Sequence, residues 1–166
     1  YVSGFASATT RQIILNPQNT TTLYYYCHYH SGMGGQADQN ATYGSTNFDG
    51  SILSKVSANT TAGFSTVTWT GNGTGGATIG HGLGAVPELM IVKKRSGSDS
   101  WAVYHHKMAS DPQTDYINLD GDGARSDSVD RWNDTTPTST VATLGDAGAV
   151  NGGSATYIGY FFTSIK

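Results

Sequence analysis

Short apolar and aromatic runs recur along the chain, and glycine, asparagine, aspartate or proline separates one run from the next. Runs of this length between such breakers predict β-strands. From residue 63 onward the pattern predicts seven strands, and seven short strands within roughly 100 residues are typical of a sandwich. We therefore predict an all-β fold, an antiparallel, jelly-roll-like β-sandwich over residues 63–166. The predicted strands are residues 64–70, 77–80, 88–94, 101–105, 116–119, 141–144 and 157–163.

The order of apolar and polar residues within these runs predicts which side chains are buried. In residues 64–70, Val67 and Trp69 are two positions apart, so they share one face of the strand and should pack inward. Residues 89–92 and 160–162 are continuous apolar runs, which indicates central strands covered on both faces. The side chains predicted to be buried are Val67, Trp69, Leu89, Ile91, Val103, Ile117, Ile158 and Phe161.

The first third of the chain has a different pattern. Two strand-like runs, residues 11–15 and 21–27, are joined by a turn-forming segment that contains asparagine and proline. We predict a small N-terminal β-unit over residues 1–36. Residues 37–62 are polar with isolated apolar residues, and they predict a linker between this unit and the sandwich.

Composition narrows the classes of function. Only 13% of the residues are charged, the net charge is −3, and no basic patch is present, so we expect no nucleic-acid binding. No apolar stretch approaches the roughly 20 residues that span a bilayer, so we expect no membrane insertion. A single cysteine excludes an intrachain disulfide framework. The chain begins at Tyr1 and ends at Lys166 directly after a predicted strand, which suggests a segment of a longer protein.

Catalytic signatures are missing from the sequence. Glu88 is the only glutamate, and no Gly-x-Ser-x-Gly motif occurs. Glycoside chemistry by a glutamate pair and a serine nucleophile elbow are therefore not expected. His105 and His106 are adjacent on a predicted strand and point to opposite faces, so they cannot chelate one metal ion together. We predict no catalytic residues and a non-enzymatic function.

One spacing points to copper. Cys27, His30 and Met33 form a Cys-x-x-His-x-x-Met pattern at the exit of a predicted strand, and a thiolate, an imidazole and a thioether are the ligands of blue-copper sites. Such sites use a second histidine, and none precedes His28. The alternative is a structural loop in which Cys27 and Met33 are small core residues. We expect the three side chains to lie close together without copper.

An acidic, glycine-rich segment is a candidate calcium site. Asp120, Asp122 and Asp127 place carboxylates on a loop of the kind that binds calcium. The EF-hand pattern fails because Ala124 and Arg125 occupy positions that require a ligand and a glycine. The alternative is a solvated acidic turn.

Aromatic residues give a third candidate site. Trp101, Tyr104 and Trp132 could form an exposed platform on which a glycan stacks. The alternative is that these rings belong to the core, as aromatic residues in strands usually do.

Two stretches resemble modules of tailed bacteriophage proteins, especially those of phages of marine bacteria. Residues 21–35, in which tyrosines lead into Cys-x-x-His-Ser-Gly-Met-Gly-Gly, resemble the end of the cupredoxin-like modules found in such proteins. The second stretch covers most of residues 47–162 and resembles a module that recurs in large tail-fibre and related structural proteins. Its matching segments are residues 47–50, 62–65, 70–73, 80–84, 87–93, 103–105, 132–133 and 137–140.

The resemblance implies a structural and adhesive virion protein on the extracellular surface of the particle, as part of a tail fibre or another surface appendage. Its implied partners are other virion proteins, neighbouring subunits and host-surface glycans or proteins. We expect a homo-oligomer, and a trimer is favoured because phage fibres are commonly threefold. Three alternatives stay open: a capsid-surface decoration protein, a cupredoxin-like copper protein that transfers electrons, and a bacterial carbohydrate-binding module attached to an enzyme.

Overall fold

The computed structural model describes residues 23–26, 34–37 and 44–165 of the chain. The chain divides into two units, residues 1–39 and residues 40–166. In the first unit, β1 (Leu23–Tyr26) pairs antiparallel with β2 (Gly34–Ala37). The strand predicted at residues 11–15 lies outside the described residues.

The second unit is a two-layer β-sandwich. Eight strands form one sheet in the order β10-β9-β8-β7-β12-β5-β4-β3, and β6 and β11 form a second sheet. All paired strands within both sheets are antiparallel. The strands are β3 (Ser45–Asn47), β4 (Ser54–Asn59), β5 (Phe64–Thr70), β6 (Ala77–Gly80), β7 (Leu89–Lys94), β8 (Ala102–His105), β9 (Asp115–Asn118), β10 (Ser126–Asp127), β11 (Val141–Leu144) and β12 (Thr156–Phe162), with a 3-10 helix (Pro112–Thr114) and one short α-helix, α1 (Val129–Trp132).

The all-β sandwich and its seven predicted strands are confirmed. Residues 64–70, 77–80 and 141–144 coincide with β5, β6 and β11. The predictions for β7 and β8 begin one residue too early, and those for β9 and β12 are shifted by one residue toward the C-terminus. These strands alternate or cluster their apolar residues strongly enough to be found from the sequence.

The predicted linker, residues 37–62, is wrong over most of its described part. It contains β3 and β4, and β4 pairs along its whole length with β5, from Ser54 opposite Trp69 to Asn59 opposite Phe64. Ser54 and Val56 are buried. Val56 is the only large apolar residue in β4, so the apolar pattern of this strand is weak although its pairing is complete.

The core lies between the two sheets. We call the side of the large sheet that faces β6 and β11 the inner face. Trp69 of β5 stacks on Tyr157 of β12 with ring centres 5.5 Å apart, and both rings are buried. The buried apolar side chains that complete this layer include Val67, Ile79, Met90, Val92, Tyr104, Trp132, Leu144 and Phe161.

The indole N–H of Trp69 and the hydroxyl of Tyr157 hold the loop before β12 by hydrogen bonds. Trp69 Nε1 donates to the carbonyl of Val150 at 3.2 Å. The Tyr157 hydroxyl donates to the carbonyl of Gly148 at 2.7 Å and accepts from the amide of Gly152 at 2.6 Å. Buried Tyr and Trp side chains need such partners, so these bonds fix the loop to the core.

Buried Asn151 joins two loops at one end of the sandwich, the one between β5 and β6 and the one between β11 and β12. Its Nδ2 lies 3.1 Å from Asn72 Oδ1, 2.9 Å from the Thr74 carbonyl and 3.1 Å from the Gly145 carbonyl, and its Oδ1 accepts from the Asn72 amide at 3.0 Å. The glycine-rich segment 71–76 is therefore a fixed connection between β5 and β6.

Gly159 on the inner face of β12 leaves the space that the core rings occupy. A Cβ atom at this position would lie 2.6 Å from Phe161 Cε2 and 3.0 Å from Trp69 Cζ3. We expect Gly159→Ala to lower the free energy of unfolding by about 1–3 kcal/mol through overpacking. Denaturant unfolding followed by tryptophan fluorescence measures the change. Gly123→Ala is the control, because nothing lies within 4 Å of its Cβ position, and equal losses in the two variants would contradict the packing argument.

Candidate functional site

The large sheet has a second apolar side, which we call the outer face. The strand register aligns Ile117, Val103, Ile91 and Tyr160 in one row across β9, β8, β7 and β12. Residues two positions apart on a strand share a face, so the neighbouring rows of these strands belong to the same side. The apolar residues of the outer face are Phe64, Leu89, Ile91, Val103, Ile117, Ile158, Tyr160 and Phe162.

An aromatic pair forms one end of the outer face. Phe64 and Phe162 are directly opposite each other on β5 and β12, and their ring centres are 4.9 Å apart. Leu89 is the next residue in this row. Phe162 is 36% exposed. This end therefore presents aromatic and aliphatic carbon to its surroundings.

Half of the residues predicted to be buried belong to the outer face and are only half-buried. Val67, Trp69, Val103 and Phe161 are buried as predicted. The prediction is wrong for the other four, because their side chains lie on the outer face. In β7, for example, the apolar run divides between the two faces: Met90 and Val92 lie in the sealed core, whereas Leu89 and Ile91 do not. The half-buried residues are Leu89, Ile91, Ile117 and Ile158. A contiguous, incompletely buried apolar surface is a candidate interaction site.

Charged groups lie at the other end of the outer face. Lys94 is on the inner side of β7, where its Nζ is 2.7 Å from Asp99 Oδ2, and this hydrogen bond holds the pKa of Lys94 above its usual range. Lys93 donates to the Asp99 carbonyl, and its Nζ lies 5.7 Å from the centre of the Trp101 ring. Such a cation over an indole face is favourable, so Lys93 and Trp101 form a defined corner of the surface.

The predicted glycan platform is wrong for two of its three residues. Tyr104 is on the inner face of β8, and Trp132 is carried into the core by α1; both are fully buried, and their rings meet edge-on at 6.1 Å. Trp132 Nε1 donates to the carbonyl of Asp115 at 3.0 Å. A sugar cannot stack on a ring that has no exposed face. Trp101 alone is partly exposed.

The candidate calcium site at Asp120, Asp122 and Asp127 is not assembled in the described residues. In residues 44–165, no three His, Cys, Asp or Glu side chains are arranged to hold a metal ion. Asp120 Oδ1 accepts from the amide of Trp101 at 3.1 Å, whereas Asp127 is in β10 opposite Asp115. Asp122 is exposed on the loop between them. The carboxylates are separated because Asp120 lies beyond the last residue of β9, whereas Asp127 is opposite its first residue.

The same loop supplies a cation to a buried acid that sequence reasoning missed. The Asp115 side chain is 1% exposed, and Arg125 Nη1 lies 2.5 Å from its Oδ2. Arg131 stacks on the ring of the next residue, Tyr116, with 4.4 Å between the guanidinium carbon and the ring centre. These contacts anchor the loop and α1 to β9. The only sequence signal was the presence of two arginines beside the acidic segment.

A serine, a histidine and the single glutamate meet at the start of β7. Ser164 Oγ donates to Glu88 Oε2 at 2.5 Å, and His106 Nε2 is 3.7 Å from the same oxygen. The serine hydroxyl therefore binds the carboxylate and not the imidazole, which differs from the arrangement that activates a serine nucleophile. Cys27, His30 and Met33, the candidate copper-type ligands, lie outside the described residues.

His81 is a buried histidine with both ring nitrogens in hydrogen bonds. Nε2 donates to the Thr138 carbonyl at 3.1 Å, and Nδ1 accepts from the Leu83 amide at 3.3 Å. The ring stacks on Phe161 with 5.8 Å between centres. Burial lowers the pKa of His81 below its usual value of 6.5, although Thr138 and Asp49 oppose this shift. The imidazole is therefore neutral and structural at neutral pH.

The fold and the surfaces define the class of protein: an all-β sandwich domain with one sealed apolar face and one half-exposed apolar face. The chain belongs to a family described as a domain of unknown function (DUF7483), which matches residues 37–166. No curated protein and no solved structure matches the chain. Among the described helices, none has the length and apolar character needed to cross a bilayer.

The protonation of His81 makes a testable contribution to acid stability. The unfolded chain takes up a proton on this histidine near pH 6.5, and the folded chain does so only at lower pH. We therefore expect the free energy of unfolding to fall as the pH drops below about 6.5, with a slope of up to about 1.4 kcal/mol per pH unit. Denaturant unfolding between pH 5 and 7.5 measures the slope.

His81→Gln should be less stable at pH 7.5 and should lose most of this slope. His105→Gln is the matched control because His105 is exposed on β8, and it should keep the slope of the original protein. Equal slopes in both variants would contradict the assignment of the acid effect to His81.

Proposed function

We propose that this chain is a non-enzymatic structural and adhesive protein of a bacteriophage particle, part of a tail fibre or another surface appendage. The outer face of the large sheet is the observation that carries the proposal. It is apolar, contains the aromatic residues Phe64, Tyr160 and Phe162, and is only half-buried. Aromatic enrichment and few central charges are typical of protein–protein interfaces.

Two further observations support this proposal. The resemblance to phage structural modules extends over residues 21–35 and 47–162, and the second stretch coincides with the domain that the family match delimits. Buried polar groups of the core, such as those of Asn151 and Tyr157, hold loops by hydrogen bonds. A rigid domain of this kind suits display on the outside of a particle.

Contact with neighbouring subunits is favoured over contact with host glycans. The burial of Tyr104 and Trp132 removes two of the three rings that a sugar would use, and Lys93 already lies over the ring of Trp101. The outer face offers a larger apolar surface than this single ring. We therefore assign the adhesive role of this domain primarily to assembly with other virion proteins.

The proposal predicts that the chain is present in purified particles of the phage that encodes it. Particles are purified on a density gradient, separated into tail and capsid fractions, and analysed by quantitative mass spectrometry. We expect the chain in the tail fraction, at a fixed ratio to the known tail proteins. A non-structural enzyme of the same phage is the control and should be absent.

Two other results of the particle analysis would change or overturn the proposal. Recovery of the chain with capsids would replace the tail assignment with the capsid-decoration alternative. Its absence from intact particles would overturn the virion proposal.

A further inference from the structure

We propose that the outer face of the large sheet packs against the same face of a second copy of this chain, with the strands of the two copies running in opposite directions. This inference rests on the proposed function, because it names the neighbouring subunit as an identical chain and the outer face as its contact. The contact is isologous, so the basic assembly is a twofold dimer rather than the trimer that the resemblance favours.

The size of the outer face supports a second copy as the occupant. Five strands, β9 to β5, span about 20 Å, and three rows of side chains along them span a similar length. Two sheets that meet over such an area approach the lower limit of specific interfaces, about 1,200 Å² in total. Sheets packed face to face in this way are the arrangement of a β-sandwich.

The central row has the composition of an interface core. Ile117, Val103, Ile91 and Tyr160 follow one another without a charged side chain between them. Burial of aliphatic and aromatic carbon contributes about 25 cal/mol per Å² before the costs of association. An identical partner supplies the same uncharged row, so no charge is left unpaired in the centre.

The charges on this face determine the relative direction of the two copies. Lys55, Thr68, Ile158 and Lys93 are aligned in one row across β4, β5, β12 and β7, so two cations lie at the same end of the face. A twofold axis along the strands would place this row opposite its own copy, and like charges in an interface repel.

A twofold axis across the strands gives a favourable arrangement. It places the lysine row of one copy over the row of Leu89, Phe162 and Phe64 in the other. Lysine can then pack its alkyl stem and its charge on the phenylalanine rings. The antiparallel arrangement is therefore the one that the surface supports.

The first test is the oligomeric state of the full chain. Sedimentation velocity from 1 to 100 µM should show a reversible monomer–dimer equilibrium. Ile91→Glu in the centre of the face and Phe162→Glu at its exposed end should each raise the dimer Kd at least tenfold. Val129→Glu is the matched control, since Val129 is 51% exposed on α1 and not on the large sheet, and it should leave Kd unchanged.

Thermal unfolding of every variant separates interface effects from misfolding. Phe162→Glu is expected to keep the monomer folded because the replaced side chain is already partly exposed. A monomer at all concentrations would overturn the inference, and so would an oligomer that both glutamate variants leave intact. Either result leaves the virion proposal to be judged by the particle analysis, so the two failures are distinguishable.

The second test determines the direction of the axis. Lys55 is exposed and lies in the cationic row. Lys55→Gln should weaken the antiparallel dimer severalfold, because a lysine is removed from the phenylalanine end of the partner. The parallel arrangement predicts the opposite, a tighter dimer, since repulsion between the two lysine rows is relieved. A tighter dimer would therefore overturn the proposed direction.

Discussion

The architecture depends on the insertion of β12 between β5 and β7. Thr156–Phe162 pairs along seven positions with β5 and along six positions with β7. Without it, the strands from β3 to β5 and those from β7 to β10 would form two separate sheets. The Trp69–Tyr157 stack and the space left by Gly159 fix β12 on its inner side. Both apolar faces of the sheet exist only once this strand is in place.

The same strand explains why the sheet has two different sides. Tyr157, Gly159 and Phe161 point to the inner face, where β6 and β11 cover them, and Ile158, Tyr160 and Phe162 point to the outer face. Trp69 Nε1 and the Tyr157 hydroxyl, which tie the loop before β12 to the core, are on the inner side. The inner side is therefore a completed interior, and the outer side has the chemistry of an interface.

Most strands could be located from the sequence, but whether each face of a strand is sealed or partly exposed could not. A continuous apolar run such as residues 89–92 predicts apolar contacts on both sides of a strand, yet it carries no information about what supplies them. β4 escaped prediction because Val56 is its only large apolar residue, although it pairs along its whole length with β5. Trp132 was open to misinterpretation because its burial depends on a four-residue helix, capped by the Ser128 side chain and ended by Asn133 in a left-handed conformation.

The edges of the large sheet have a consequence for how such a protein assembles. β3 has three residues, Ser-Thr-Asn, and β10 has two, Ser-Asp, so each edge is short and polar. Long, apolar edges are where sheets extend into neighbouring molecules and aggregate without limit. Short polar edges disfavour that open-ended growth. Self-association directed to a face instead stops at a defined number of copies.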